Sequence, residues 1–229
     1  MARYLTLNNS YICFMRNLFL IAFIFCGHLT FAQLTEGYIQ FSIDVVAVDT
    51  SMKTRQSAGL LHDSKMEIYF SDKLSRIDYK MGRLYNTVMI LDERQQKAVT
   101  LTNSSKGKFA SIASTKGIKA TQMKKDPKAV TKHFNDTKTI LGYKCKKATV
   151  TSEGLTTTYW YTNDINIEEK NKAIINPNAP GFPLAFSRVE NGVRMYFQAS
   201  NIQYELINKG QIFSTQIPSG YRVMQNTYN

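Results

Sequence analysis

Histidine and cysteine are scarce in this chain, three of each among 229 residues. Cys13 and Cys26 fall in an N-terminal stretch with the order of a secretory leader, so Cys145 is expected to stand alone in the mature chain. One cysteine makes no internal disulfide, and stability must then come from packing. His62 and His133 are far apart and have no Cys or His at ligand spacing, which argues against a metal site and leaves both as surface residues. The chain also has no G-x-S-x-G, no phosphate-binding glycine loop, no H-E-x-x-H and no aspartate-rich calcium loop. Asp44, Asp78, Asp92 and Asp164 are isolated carboxylates that spacing does not pair for acid–base work. The expectation is a non-enzymatic protein with no catalytic residue, no metal and no cofactor.

Long apolar runs are missing too. The longest, Leu18 to Gly27, is about ten residues against the roughly 20 that span a bilayer. It follows Arg16 and ends at T-F-A before Gln33, so residues 1–32 read as a signal peptide cleaved after Ala32, with Met15 as an alternative start. Processing would leave no transmembrane segment and place the protein in the periplasm or outside the cell. It removes Arg3 and Arg16 and no acidic residue, lowering the formal charge from +12 to +10. Proline is rare, five residues, and three of them sit in one loop at Pro177, Pro180 and Pro183. No low-complexity tract divides residues 33–229, which are expected to form a single β-rich domain.

What the chain has in abundance is alternation. In Y-I-Q-F-S-I-D-V-V from Tyr38, Ile39, Phe41, Ile43 and Val45 share one face of a half-buried strand. Met66, Ile68 and Phe70 repeat the pattern, as do Ile77, Tyr79 and Met81, and strands continue at 84–91, 98–102 and 109–113. Residues 49–65 show no period and read as a connection. The stretch 141–164 reads as a central hairpin turning at Ser152-Glu153-Gly154, with Cys145 buried and Lys144 and Lys146 facing solvent. Further strands are expected at 184–189, 193–200, 202–207 and 211–217, the first two joined by a turn at Glu190-Asn191-Gly192. Asp126-Pro127 looks like a helix start, with Val130 and Phe134 on one face, so a short helix is expected there. Residues 165–175 have weak helical character. The class is mostly β, a β-rich α+β domain.

Two compositional features bear on function. Lys116, Lys119, Lys124, Lys125, Lys128, Lys132, Lys138, Lys144, Lys146 and Lys147 gather before and along the hairpin, suiting anionic lipid headgroups or acidic polysaccharide. Lysines without interleaved aromatics or arginines argue against nucleic acid. Aromatic residues concentrate in the last third. Tyr159, Trp160, Tyr161, Phe182, Phe186, Tyr196 and Phe197 are the candidate ligand-binding residues, since one face of a curved sheet can line an apolar cavity.

Taken together, the leader ending T-F-A-Q, the strand meander, L-G-Y-K-C-K-K-A from Leu141, W-Y-T-N-D from Trp160, A-P-G-F-P-L from Ala179 and I-P-S-G-Y-R-V-M from Ile217 resemble the GLPGLI-type and related secreted families of Bacteroidetes. These are distantly similar to the periplasmic lipoprotein-carrier (LolA-like) fold. The resemblance implies a strongly curved antiparallel half-barrel with one or two short helices against its concave face. It carries no catalytic residues. The functional expectation is an exported protein holding a lipid-like or other apolar ligand in the concave face; the alternative is an envelope scaffold that binds another protein through a sheet edge.

Overall fold

The computed structural model of the protein describes residues 36–122, 124–165 and 177–225. The expected leader and the helical reading of 166–175 lie outside the described residues. The fold is mostly β, one large curved, unclosed sheet with few short helices. Its strands in chain order are β1 (Glu36–Ala47), β2 (Ser64–Ser71), β3 (Leu74–Met81), β4 (Tyr85–Asp92), β5 (Lys97–Ser104), β6 (Gly107–Ser114), β7 (Val130–Ile140), β8 (Tyr143–Ser152), β9 (Leu155–Thr162), β10 (Phe182–Glu190), β11 (Val193–Gln203) and β12 (Arg222–Gln225). They form a 12-stranded sheet in the order β12-β6-β5-β4-β3-β2-β1-β11-β10-β9-β8-β7. All pairs are antiparallel except β12 with β6.

Hairpins account for most of this order, because short turns leave successive strands side by side. The turn of β8 and β9 has Glu153 at φ 51° and Gly154 at φ 76°, the two left-handed residues whose twist matches that of the flanking strands. Asn191 and Gly192 turn β10 into β11 in the same way. Two pairings join strands far apart in the chain, β1 with β11 and β12 with β6, and β1 also pairs with β2 on its other side.

Ile39, Phe41 and Ile43 of β1 are at most 5 % exposed and define the inner face. Ile68 and Ile77 lie on the same face through the β1–β2 and β2–β3 registers, and Phe197 through that of β1 and β11. Neighbouring strands run about 4.8 Å apart, so a flat sheet would hold β3 and β11, three steps away, about 14 Å apart. The rings of Tyr79 on β3 and Phe197 on β11 are nonetheless 6.2 Å apart, centroid to centroid. Curvature toward the inner face accounts for that approach.

The helices are α1 (Met52–Leu60), α2 (Thr115–Gln122) and α3 (Lys209–Ile212). Ile118 of α2 packs against Leu91 and Ala98, so one short helix does lie on the inner face. The helix expected after Asp126-Pro127 is instead the start of β7. Asp126 stops a turn, accepting from the Lys128 N–H at 2.8 Å. The β-branched residues Val130, Thr131, Thr137 and Thr139 then pair with β8, a ladder that outweighs the weak helical spacing. Conversely, the stretch 49–65 holds α1. Ser51 caps it, accepting from the Thr54 N–H at 3.3 Å, but only Thr54 is buried, so no apolar period marks it. The strand expected over 211–217 is a short helix followed by an extended segment, and the strand expected over 202–207 is only the end of β11. Ile217 and Tyr221 of the C-terminal segment pack against Val99, Leu101 and Ala110 on the outer face.

Candidate functional site

Three alternate residues of β10, Phe186, Arg188 and Glu190, project from the inner face, as the period of a strand requires. Phe186 stacks on Phe197, the centroids 4.2 Å apart and the planes 9° from parallel. Tyr159 and Phe41 approach Phe186 from either side, each at 6.1 Å. Above this stack the Arg188 guanidinium lies 5.4 Å from the Phe197 centroid, a favourable place for a cation over a π face. It also reaches Glu190 Oε2 at 3.5 Å and donates to the Tyr79 hydroxyl at 3.5 Å, across four strand positions of the sheet.

Beside this cluster is a half-open pocket of about 500 Å3, lined by Val150, Thr157, Tyr159, Asn178, Arg188 and Glu190 among others, with Leu155 and Val189 at its wall. Asn178 is held in place through its Oδ1, which accepts from the Asp126 N–H at 2.9 Å. Asp126 in turn accepts from the Ser152 hydroxyl at 2.6 Å, so the loop before β10, the approach to β7 and the central hairpin are tied together. A larger hollow of about 650 Å3 lies among the β2–β3 turn, the β4–β5 turn and the C-terminal segment. Three of its bases are already engaged, Lys97 by Thr215, Lys209 by Glu36 and Arg94 by Asp92. The inner-face pocket sets Tyr159 and the apolar Val150, Leu155 and Val189 beside the polar side chains of Asn178, Arg188 and Glu190.

The phenols here are held neutral. Burial pushes Tyr159 up to about 12. Burial also raises Tyr79, against the pull of Arg188, and raises Tyr85, where Glu190 adds to the effect. These side chains therefore offer hydrogen bonds and apolar surface at neutral pH and not a charged base. Among the described residues no group of three or more His, Cys, Asp or Glu side chains could hold a metal ion.

Of the residues singled out from sequence, Tyr159 lines the pocket, and Phe186, stacked on Phe197, packs against Tyr159 without lining the pocket itself. Tyr161 shares the face of Tyr159 but does not line the pocket; its hydroxyl lies 3.1 Å from His133 Nδ1. Phe182 is buried elsewhere, because a register shift between Pro183 and Ala185 puts it on the face opposite Phe186. Trp160 and Tyr196 also point away from the pocket. Each is the sequence neighbour of an inward residue, and alternation sends it outward. Sequence reasoning missed Tyr79, Tyr85, Asn178, Arg188 and Glu190. For Arg188 and Glu190 the signal was present in F-S-R-V-E, whose first, third and fifth residues must share a face.

Residues 95–205 match the family model described as N-glycanase peptide, N-terminal domain. Crystal structures of PNGF-II in two space groups, C2 and P21, are similar at 16 % identity. They cover 83 % and 84 % of this chain and 31 % and 32 % of theirs, with TM-scores of 0.45 and 0.46. The LolA superfamily protein NE2245 from Nitrosomonas europaea is a more distant neighbour, at 8 % identity and a TM-score of 0.23 over 80 % of this chain and 91 % of that one. No curated protein matches. The chain spans about a third of the length of PNGF-II. The family model that matches is not a GLPGLI-type one. Over residues 95–205 the chain is similar to an N-glycanase N-terminal domain.

Proposed function

We propose that this protein is an exported, non-enzymatic binding protein whose ligand occupies the inner-face pocket. The observation that carries the reading is Arg188, fixed over Phe197 and between Glu190 and Tyr79 at the rim of a pocket walled by Val150, Leu155, Tyr159 and Val189. An apolar floor beside a directional polar rim suits a ligand that is itself two-sided. A lipid-like molecule would lay its chain on the wall and bring its polar head to Arg188 and Asn178. The phenylalanines next to it are packed on one another, Phe197 1 % and Phe186 9 % exposed, so they brace Tyr159 and Arg188 and leave the ligand contacts to the pocket wall.

A second reading is favoured by the family match over residues 95–205. A sugar also has an apolar ring face and a hydroxyl edge, and a glycan segment would use the same floor and rim. In this reading the chain binds glycan and performs no cleavage.

Native mass spectrometry of protein purified without detergent, followed by solvent extraction and glycan release, separates the two. A co-purifying lipid supports the first reading and an oligosaccharide the second; Arg188→Gln must abolish co-purification in either case. An empty wild-type protein that takes up neither class of probe overturns the pocket reading.

A further inference from the structure

The outer face of β7, β8 and β9 carries five side chains in which cations and rings alternate. Lys132 Nζ stands 5.3 Å from the centroid of Phe134. Lys147 Nζ lies 5.2 Å from Phe134 and 5.8 Å from Trp160, and Lys138 Nζ is 4.8 Å from Trp160. Strand pairing explains the row. Lys147 faces Trp160 across the β8–β9 ladder, and a register shift in β7 between His133 and Thr137 accompanies the meeting of Phe134 with Lys147. Thr149 and Thr158 form the next rung on the same face. One carboxylate, Asp136, is 3.8 Å from Lys147.

Three ammonium groups against one carboxylate leave the row positive within a chain of formal charge +12. The rings hold the flexible lysine stems in fixed places, so an anionic partner would meet positions already set. A linear array of such positions fits a linear polyanion. Nucleic acid is disfavoured because the ring faces that bases would stack on are occupied by lysines. Insertion into a bilayer is disfavoured because Phe134 and Trp160 are half-buried in the sheet. The flanking threonine hydroxyls favour a partner that itself carries hydroxyls.

We propose that this row binds a linear acidic polysaccharide, with its carboxylate or sulfate groups at Lys132, Lys147 and Lys138 and its hydroxyls beside Thr149 and Thr158. The inference stands apart from the inner-face pocket and does not depend on it.

Trp160 is the single tryptophan of the chain, so its emission reports on the row directly. Titration with polygalacturonate should give a saturable change that neutral dextran does not give. It should weaken with salt, as the screening length falls from about 10 Å at 0.1 M to about 3 Å at 1 M. Lys147→Gln or Lys132→Gln, with circular dichroism unchanged, should weaken binding roughly fivefold, the scale of one exposed ion pair. Asp136→Asn should strengthen it, and Arg188→Gln, in the pocket, should leave it unaltered. The proposal is overturned if polygalacturonate and dextran sulfate leave the emission unchanged, if dextran acts equally, or if the lysine variants bind like wild type. Binding to vesicles of phosphatidylcholine and phosphatidylglycerol but to neither polyanion would likewise overturn it and assign the row to a membrane surface.

Discussion

Cys145 is fully enclosed, with its thiol directed at the Tyr143 carbonyl oxygen 3.6 Å away. Burial pushes the thiol pKa up, only partly offset by Lys138, while the flanking Lys144 and Lys146 are exposed. A thiol reagent should therefore leave the native protein unlabelled and react once it is denatured. Cys145→Ala should cost about 1 kcal/mol, as loss of a small buried group does; rapid stoichiometric labelling of native protein would refute this. The tyrosines predict behaviour at the opposite end of the titration. Tyr159 and Tyr69 are pushed up to about 12, in both cases mainly by burial, whereas an unfolded tyrosine ionises near 10. Between those values the folded state binds more protons than the unfolded one, so stability present below about pH 10 is lost as the pH rises toward 12. Phenolate absorbance should appear together with loss of circular dichroism, and phenolate formation in a still-folded protein near pH 10 would contradict it. Cys145 could be placed from sequence because a small residue between two lysines on a strand has one obvious side. The Tyr79–Arg188 contact could not, because it joins residues 109 apart through curvature that no local pattern encodes.

At the scale of elements, α1 shows how a turn and a helix constrain one another. Gly82, at φ 50°, turns β3 toward β4 directly beneath the end of α1, where an added Cβ would lie 2.1 Å from the Leu60 carbonyl oxygen. The Arg83 N–H donates to that same oxygen at 2.9 Å. Backbone cannot yield as a side-chain tip does, and the left-handed φ already disfavours any residue with a Cβ. Gly82→Ala should thus cost about 2–4 kcal/mol, measurable by denaturant unfolding; a midpoint within experimental error of wild type would sink the argument. The same pair marks where the sequence was legible. Strands β1 to β6 could be read because their apolar residues alternate and one face is buried. The helix α1 could not, since a polar helix held by a Ser51 cap and by contacts at its ends leaves no apolar period. In β7 the helical signal at Asp126-Pro127 was real but local, and pairing with β8 overrode it. The candidate site was half legible for a related reason. An aromatic cluster shows in composition, but which of three consecutive residues such as Tyr159, Trp160 and Tyr161 faces inward depends on register.

At the scale of the whole sheet, β1 is the only strand among the described residues that joins the run β2 to β6 to the run β11 to β7. Without it the backbone ladder would be broken between its halves, and the inner-face contacts of Tyr79 with Phe197 and Arg188 would lose their support. A chain lacking residues 36–47 should therefore fail to bring its halves together until a synthetic peptide of that sequence is supplied. Restoration of a cooperative unfolding transition on adding the peptide checks this, and a cooperative transition without it would show that the halves associate unaided. The partners of β1 lie at Ser64–Ser71 and at Val193–Gln203, the second so distant that the paired Ser42 and Gln198 are 156 positions apart. Loop closure over such a distance is slow. For a polypeptide that emerges N-terminus first, from a ribosome or through a translocation pore, this order sets a clock: β1 can zip onto β2 as soon as Ser71 is free, but its other edge stays open until β11 has followed.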